Sequence, residues 1–253
     1  MDALAKDDPA LLDVIRGRPK PFESAYGLGR TGVAGLALGF VGGAHAAALG
    51  LVACGALAWP AFAARWCCYV VALTSFHAAE FLTTAAYKWR DLSYDSWLLN
   101  HSRAYTLAAF AACAEFWLEV SFAPGLKALG PLFAAGLCLV VLGHGARVLA
   151  MVTCGEHFAH RIATSRPEGH ELVTTGIYRY LRHPSYTGWF WWSVGTQLVL
   201  GNPLCFVAYA CASYSFFADR IPFEEETLRD FYPREYPAYA ARTFVLIPFL
   251  RAR

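Results

Sequence analysis

Apolar residues in this chain fall in long, nearly uninterrupted runs, the pattern of helices surrounded by lipid and not of half-buried helices or strands in water. A spanning helix needs about 20 mostly apolar residues, and residues 31–53, 67–87, 105–122 and 131–154 each come close. The apolar tract from 31 to 64 is long enough to break into two short helices near Gly42 and Gly43. Four to six helices are therefore expected before residue 155. Two shorter apolar stretches, 189–200 and 204–217, flank Gly201, Asn202 and Pro203, which reads as the turn of a helical hairpin. The pattern predicts an all-α polytopic membrane protein with about six to eight membrane helices.

Composition agrees: 57% of the 253 residues are hydrophobic and 16% charged, against roughly a quarter charged in soluble domains. Lys6, Arg16, Arg18, Lys20 and Arg30 precede the first run, while Lys88, Arg90, Arg103, Arg161, Arg166, Arg179, Arg182, Arg251 and Arg253 fall in alternate loops or the tail. The positive-inside rule assigns these to the cytosol, and six crossings with both ends cytosolic satisfy the pattern. Lys6, Asp7 and Asp8 leave no short apolar core for a cleavable signal, so the first span is expected to target the protein to an endomembrane. The eight cysteines are scattered, mostly in apolar segments and without a C-x-x-C pair, which favours packing over a disulfide framework or a metal. A net charge of +2 and the lack of a basic stripe interleaved with aromatics give no reason to expect a nucleic-acid partner.

Gly35, Gly39 and Gly43 recur every four residues and predict a helix face open to close approach by a neighbour. The string Gly27-Leu-Gly29-Arg-Thr-Gly32 matches a dinucleotide fingerprint only in letters, because a membrane span follows it where a βαβ unit should be. Ionisable residues inside the apolar runs are more informative, since each is costly unless paired or facing a cavity. His77 and Glu80 share one helix face, and Glu115 and Glu119 another. They are expected either to satisfy contacts between helices or to shape the polar top of a substrate gap. His157-x-x-His160 is too isolated among the histidines for a di-iron site.

Past residue 154 the character changes, with polar, His-rich residues at 155–182 and charged, aromatic residues at 218–242. This divides the chain into an N-terminal transmembrane bundle, 1–154, and a C-terminal region, 155–253, carrying the hairpin and the polar segments. Pro184 biases His183 toward extended or turn-like backbone, so 182–186 reads as a loop presenting polar groups. Arg220 and Glu224, four apart, would share a helix face, although Pro222 between them can shift where that helix begins.

The ordered set Phe76-His77, Leu99-Asn100-His101-Ser102, Glu115-Phe116, His170-x-Leu-Val-Thr, Gly176-x-Tyr178, Arg182-His-Pro-Ser-Tyr186, Gly188-Trp-Phe190, Gly195-Thr-Gln197, Asp219-Arg220, Glu224-Glu225 and Tyr236-x-x-Tyr239 resembles the isoprenylcysteine carboxyl methyltransferase family. Phospholipid methyltransferases and some sterol reductases are similar in the R-H-P-x-Y and Glu-Glu elements but not in the whole set. The resemblance implies S-adenosylmethionine as donor, leaving S-adenosylhomocysteine, in a cytosolic pocket of the C-terminal catalytic region. It implies prenylated CaaX proteins as substrates and an endoplasmic reticulum location, with membrane lipid around the bundle. By matching position, His170, Glu171, Leu172, Val173, Tyr178, His183, Pro184, Ser185, Tyr186 and Glu224 would bind the cofactor, and Arg220 the substrate carboxylate. This chain departs from the family at Ala163, where a cofactor-contacting Gln is expected, and at Ile221, Pro222 and Phe223, where the acidic run is shorter.

Overall fold

The computed structural model describes residues 22–24, 27–99, 101–166 and 169–250. The cations at 6–20, Asn100 and the arginines at 251 and 253 lie outside these. Among the described residues the chain is helical without strands, and one isolated bridge joins Leu181 to Phe244. Its long helices are α1 (Leu28–Ala53), α2 (Ala61–Tyr87), α3 (Arg103–Phe122), α4 (Pro131–Cys154), α5 (Pro184–Leu200) and α6 (Pro203–Phe231), followed by a short α7 (Glu235–Ala240). Proline opens α4, α5 and α6, a position where its missing N–H costs nothing and its fixed φ suits the helix. The expected hairpin is present: α5 ends at Gly201, whose φ of +70° is the left-handed conformation glycine adopts without strain.

α1 and the stretch Pro131–His157 are long and apolar enough to cross a membrane on hydropathy alone. The expected break near Gly42 and Gly43 does not occur, and α1 runs through both. A glycine inside a helix costs only about 1 kcal/mol relative to alanine, whereas interrupting the helix in lipid strands backbone groups without partners. The packing face of α1 is also rotated from the expected one. A Cβ on Gly42 would lie 2.5 Å from Thr74 Oγ1, and one on Gly35 3.3 Å from Trp97, while Gly39 and Gly43 face open space.

The tightest seam lies between α4 and α5. A Cβ on Gly143 would lie 2.5 Å from the Trp192 amide nitrogen, and one on Gly188 2.5 Å from the Gly143 carbonyl, so the two backbones touch. Gly136 and Gly195 repeat the arrangement further along. This seam fixes Arg147 of α4 against Ser185 of α5, one turn beyond the Gly143–Gly188 contact.

Charged residues clamp the opposite end of the bundle. The Arg65 guanidinium donates to the carbonyls of Lys127, Ala128, Leu198 and Val199, capping the C-terminus of α5. Buried Lys127 donates to Glu119, to the Leu200 and Gly201 carbonyls and to Asn202 Oδ1. The Glu115 carboxylate accepts from the amides of Leu204 and Cys205 at the start of α6. Glu115 thus satisfies the start of α6, and Glu119 pairs with Lys127. Glu115 meets α6 sixteen residues before Arg220, roughly 24 Å along a helix of 1.5 Å rise.

Candidate active site

At the other end of the bundle two polar segments fold onto each other. The bridge pairs Leu181 with Phe244, through Arg182 N to Phe244 O at 3.1 Å and Phe244 N to Tyr180 O at 3.0 Å. The Tyr239 hydroxyl donates to the Tyr178 carbonyl at 2.8 Å, and the Tyr232 hydroxyl to the His170 carbonyl at 2.7 Å. Between them lies a cavity of about 120 Å³. All ten residues expected around the cofactor line it: His170, Glu171, Leu172, Val173, Tyr178, His183, Pro184, Ser185, Tyr186 and Glu224. Cys154, Arg182, Leu228 and Tyr236, which the sequence reading did not single out for this site, line it too, whereas Ala163 does not.

The segment expected as a loop at 182–186 is only half loop. His183 is the N-cap residue of α5, its carbonyl accepting from Thr187 N, and Pro184, Ser185 and Tyr186 form the first helical turn. The amides of Ser185 and Tyr186 belong to the first turn, whose N–H groups have no intrahelical acceptor.

Glu225 ties the wall together. Its carboxylate, 1% exposed, accepts from Arg182 Nε at 2.6 Å and Arg229 at 3.1 Å, and lies 3.2 Å from His183 Nε2. Burial works against this anion, and the hydrogen bonds from His183 and Arg182 offset it. The His170 ring lies with Nδ1 2.7 Å from the Tyr232 hydroxyl. Its pKa is pushed down by burial first and then by His157, Arg166 and Lys88, so it is neutral at pH 7.

A second cavity, of about 70 Å³, adjoins the first and shares Phe158, Ala159, Ser185 and Tyr186 with it. Arg220 and Arg147 line it, among Phe76, Trp189, Phe216 and Phe217. Helix α6 runs unbroken through Pro222, so the shared face of Arg220 and Glu224 survives the proline. Both reach the Tyr186 hydroxyl, which accepts from Arg220 Nε at 2.8 Å and donates to Glu224 Oε2 at 2.5 Å. Arg220 also donates to the His160 carbonyl. Arg147 is a buried cation that the sequence reading passed over, although a charge inside an apolar run is a functional signal by default. Glu80 holds it through Nε and through a second bond of 3.0 Å from its terminal nitrogen, and Arg147 donates onward to Ser185 Oγ at 2.9 Å. His160 Nε2 lies 2.9 Å from Glu80, while His157 packs against His170, so the His157-x-x-His160 pair diverges. His77 meets the Trp97 carbonyl at 2.8 Å and the Tyr105 hydroxyl at 3.2 Å.

The first cavity is narrower than the roughly 300–1,000 Å³ of small-molecule sites. A cofactor-sized ligand requires its wall to move, and the stretches 158–166 and 169–175, which carry no helix, are the irregular parts of that wall. Its chemistry nonetheless suits an adenosine sulfonium. Glu224 and Glu171 would balance a ligand's cationic groups, the first-turn amides and Tyr178 would offer donors, and Leu172, Val173 and Leu228 would supply apolar contact.

The fold and the two cavities define a helical bundle that holds a polar two-compartment site at one end, Arg220 and Arg147 lining one compartment and Glu224 and Glu171 the other. The model of the isoprenylcysteine carboxyl methyltransferase family matches residues 136–230. The protein-S-isoprenylcysteine O-methyltransferase of Xenopus laevis is 45% identical over 183 residues, 72% of this chain and 64% of that protein. That of Saccharomyces cerevisiae is 40% identical over 188 residues, covering 72% and 79%, and form B of Arabidopsis thaliana 40% over 181, covering 71% and 91%. A solved eukaryotic intramembrane Ras methyltransferase superposes with a TM-score of 0.73 at 41% identity, over 77% of this chain and 70% of that one. The chain belongs to the isoprenylcysteine carboxyl methyltransferase family, a family of membrane proteins. It spans 64% of the length of the vertebrate relatives from Xenopus, rat and human.

Proposed function

We propose that this chain transfers a methyl group from S-adenosylmethionine to the α-carboxylate of a C-terminal prenylcysteine, giving a methyl ester and S-adenosylhomocysteine. One observation carries the reading: the cavity with the carboxylates and the cavity with Arg220 share Ser185 and Tyr186, and Tyr186 is hydrogen bonded to Glu224 on one side and Arg220 on the other. Donor and acceptor held in adjoining compartments would meet at this hydroxyl. When bound, the cofactor supplies an activated methyl group on a sulfonium. The acceptor needs no general base, because an α-carboxyl with a reference pKa of about 3.5 is already ionised at pH 7.

The protein's part is orientation, desolvation and exclusion of water. Arg220, fixed by Tyr186 and the His160 carbonyl, presents its remaining guanidinium N–H groups to the carboxylate. Glu224 balances positive charge in the cofactor compartment. The apolar rings of Phe76, Trp189, Phe216 and Phe217 lower the local polarity, which favours a step in which a cation and an anion give neutral products. The nearest substrates are prenylated CaaX proteins, whose lipid tail stays in hydrocarbon while the cysteine reaches Arg220.

The same reading puts α1 to α6 across the membrane as six crossings, the low end of the expected six to eight. It keeps 1–154 as the bundle and 155–253 as the catalytic region, in the endoplasmic reticulum with the site facing the cytosol. The test is transfer of labelled methyl to a prenylated cysteine analogue by the purified protein in lipid. The expected result is a base-labile ester. Arg220→Ala should lower kcat/KM at least tenfold, the scale of one lost hydrogen bond to a charged group, roughly 1.5–3 kcal/mol. Cofactor binding without ester would redirect the reading to another acceptor such as a phospholipid, and absence of cofactor binding would end it.

A further inference from the structure

Four buried side-chain polar atoms among the described residues have no hydrogen-bond partner: Trp97 Nε1, Thr187 Oγ1, Trp192 Nε1 and the Tyr236 hydroxyl. Tyr236 differs from the other three in lining the cofactor cavity. It is 1% exposed and sits on α7, its amide donating to the Tyr232 carbonyl at 3.0 Å. Its ring packs edge-on to Tyr239 at 6.0 Å, and the Arg229 guanidinium lies 5.9 Å from the ring centre. Everything about the ring is packed, and only the hydroxyl is left over.

A buried hydroxyl without a partner costs stability, and phenylalanine would fill the same shape without that cost. Natural buried polar groups are nearly always paired, so an orphan hydroxyl on a residue that lines a cavity marks where a missing partner belongs. Burial, followed by the Glu225 carboxylate, pushes the phenol pKa up, so the group keeps its proton and acts as a donor. The partner must therefore be an acceptor. Glu224 and Glu171 line the same cavity and Glu225 lies behind its wall, which disfavours a carboxylate there and favours a neutral acceptor.

We infer that the Tyr236 hydroxyl is a further cofactor contact, donating to a neutral nitrogen or oxygen of the nucleoside half. This rests on the reading of the cavity as an S-adenosylmethionine site and adds to it a residue and an orientation: the sugar and base toward α7, the reacting sulfonium toward Tyr186.

The experiment is Tyr236→Phe in the full chain in lipid. It measures affinities for S-adenosylhomocysteine and for 5′-methylthioadenosine, which keeps the nucleoside and lacks the amino acid, together with ligand-free thermal unfolding. Both affinities are expected to fall about threefold to tenfold, the scale of one neutral hydrogen bond. The ligand-free unfolding temperature should hold or rise, because an unsatisfied hydroxyl has been removed, and KM for S-adenosylmethionine should rise with kcat little changed. Unchanged affinities would overturn the inference. So would weaker S-adenosylhomocysteine with unchanged methylthioadenosine, which moves the contact to the amino-acid half, or a fall in ligand-free stability, which makes the hydroxyl structural. If the unsubstituted protein binds neither ligand, the cofactor reading itself fails and this inference with it. If it binds both and the variant matches it, only the Tyr236 contact is lost.

Discussion

Glu225 stands behind the cofactor cavity and in contact with three cationic or titratable partners, so its removal should be felt in the wall before it is felt in the chemistry. Glu225→Gln leaves Arg182 buried with a weaker partner. Breaking one side of a buried pair costs about 3–5 kcal/mol, and the expected outcome is a lower unfolding temperature and loss of S-adenosylhomocysteine binding. A pH effect is expected from His170. Its folded pKa lies below the ordinary value of about 6.5, so the neutral ring's contribution is complete above that value and lost as pH falls through the folded pKa. Protonation would place a cation beside Arg166 and against the positive cofactor. S-adenosylmethionine affinity should be flat between about pH 7 and 8 and decline below about pH 6, and His170→Gln should flatten the decline. An acid limb identical in that variant would assign it to another group.

At the scale of elements, the α4–α5 seam sets the distance between Arg147 and Ser185, and so the alignment of the two cavities. Gly143→Ala puts a methyl against the Trp192 backbone, which cannot give as a side-chain tip can. Overpacking of this kind costs about 1–3 kcal/mol, and the variant should fold with reduced thermal stability and reduced methyl transfer. Gly39→Ala, facing open space, should match the parent in both measurements, and equal behaviour of the two variants would remove the seam's assigned role. The contrast also shows what was legible in the sequence. Local strings with fixed spacing, His170 to Val173 and His183 to Tyr186, announced a polar wall, and the ten residues assigned from the family resemblance do share a cavity. The direction in which α1 packs was not legible, because glycines every four residues define a stripe but not the neighbour it meets, and Gly42 and Gly35 proved to be the contacts. Arg147 was missed, and Arg182 was quoted in a motif without a role at the cavity, for a related reason: their partners, Glu80 and Glu225, lie 67 and 43 residues away, and only the fold brings each pair together. Tyr236 belonged to a quoted motif, but its unpaired hydroxyl is a property of packing that no spacing reveals.

For the whole molecule, charge and chain direction agree on one orientation. Among the described residues, α2 ends at Lys88, α3 begins at Arg103, α4 ends before Arg161 and Arg166, and α5 begins after Arg179 and Arg182, so these cations gather at the end that carries the two cavities. At the other end, formed by the connections after α1, α3 and α5, the cations among the described residues are Lys127 and Arg65, and both are buried, Lys127 among Glu119, Asn202 and carbonyls and Arg65 against four carbonyls. Such a clamp holds helices together and touches no ligand group. Lys127→Met should therefore lower stability by about 1–3 kcal/mol, leaving the Leu200 carbonyl and Asn202 Oδ1 without their buried donor, while the folded fraction keeps its S-adenosylhomocysteine affinity. Under the positive-inside rule the asymmetry of cations supports the proposed orientation, with the two cavities on the cytosolic side. Single cysteines at Arg179 and at Gly125, placed in a background whose native cysteines are replaced by serine, test it in sealed microsomes whose cytosolic face points outward. Both positions have room, since Arg179 is exposed and a Cβ on Gly125 meets nothing within 4 Å. An impermeant maleimide should label Arg179→Cys at once and Gly125→Cys only after the membrane is opened. Labelling in the reverse order would place the cavities in the lumen, away from cytosolic prenylated proteins, and would remove the physical basis for their being the substrates.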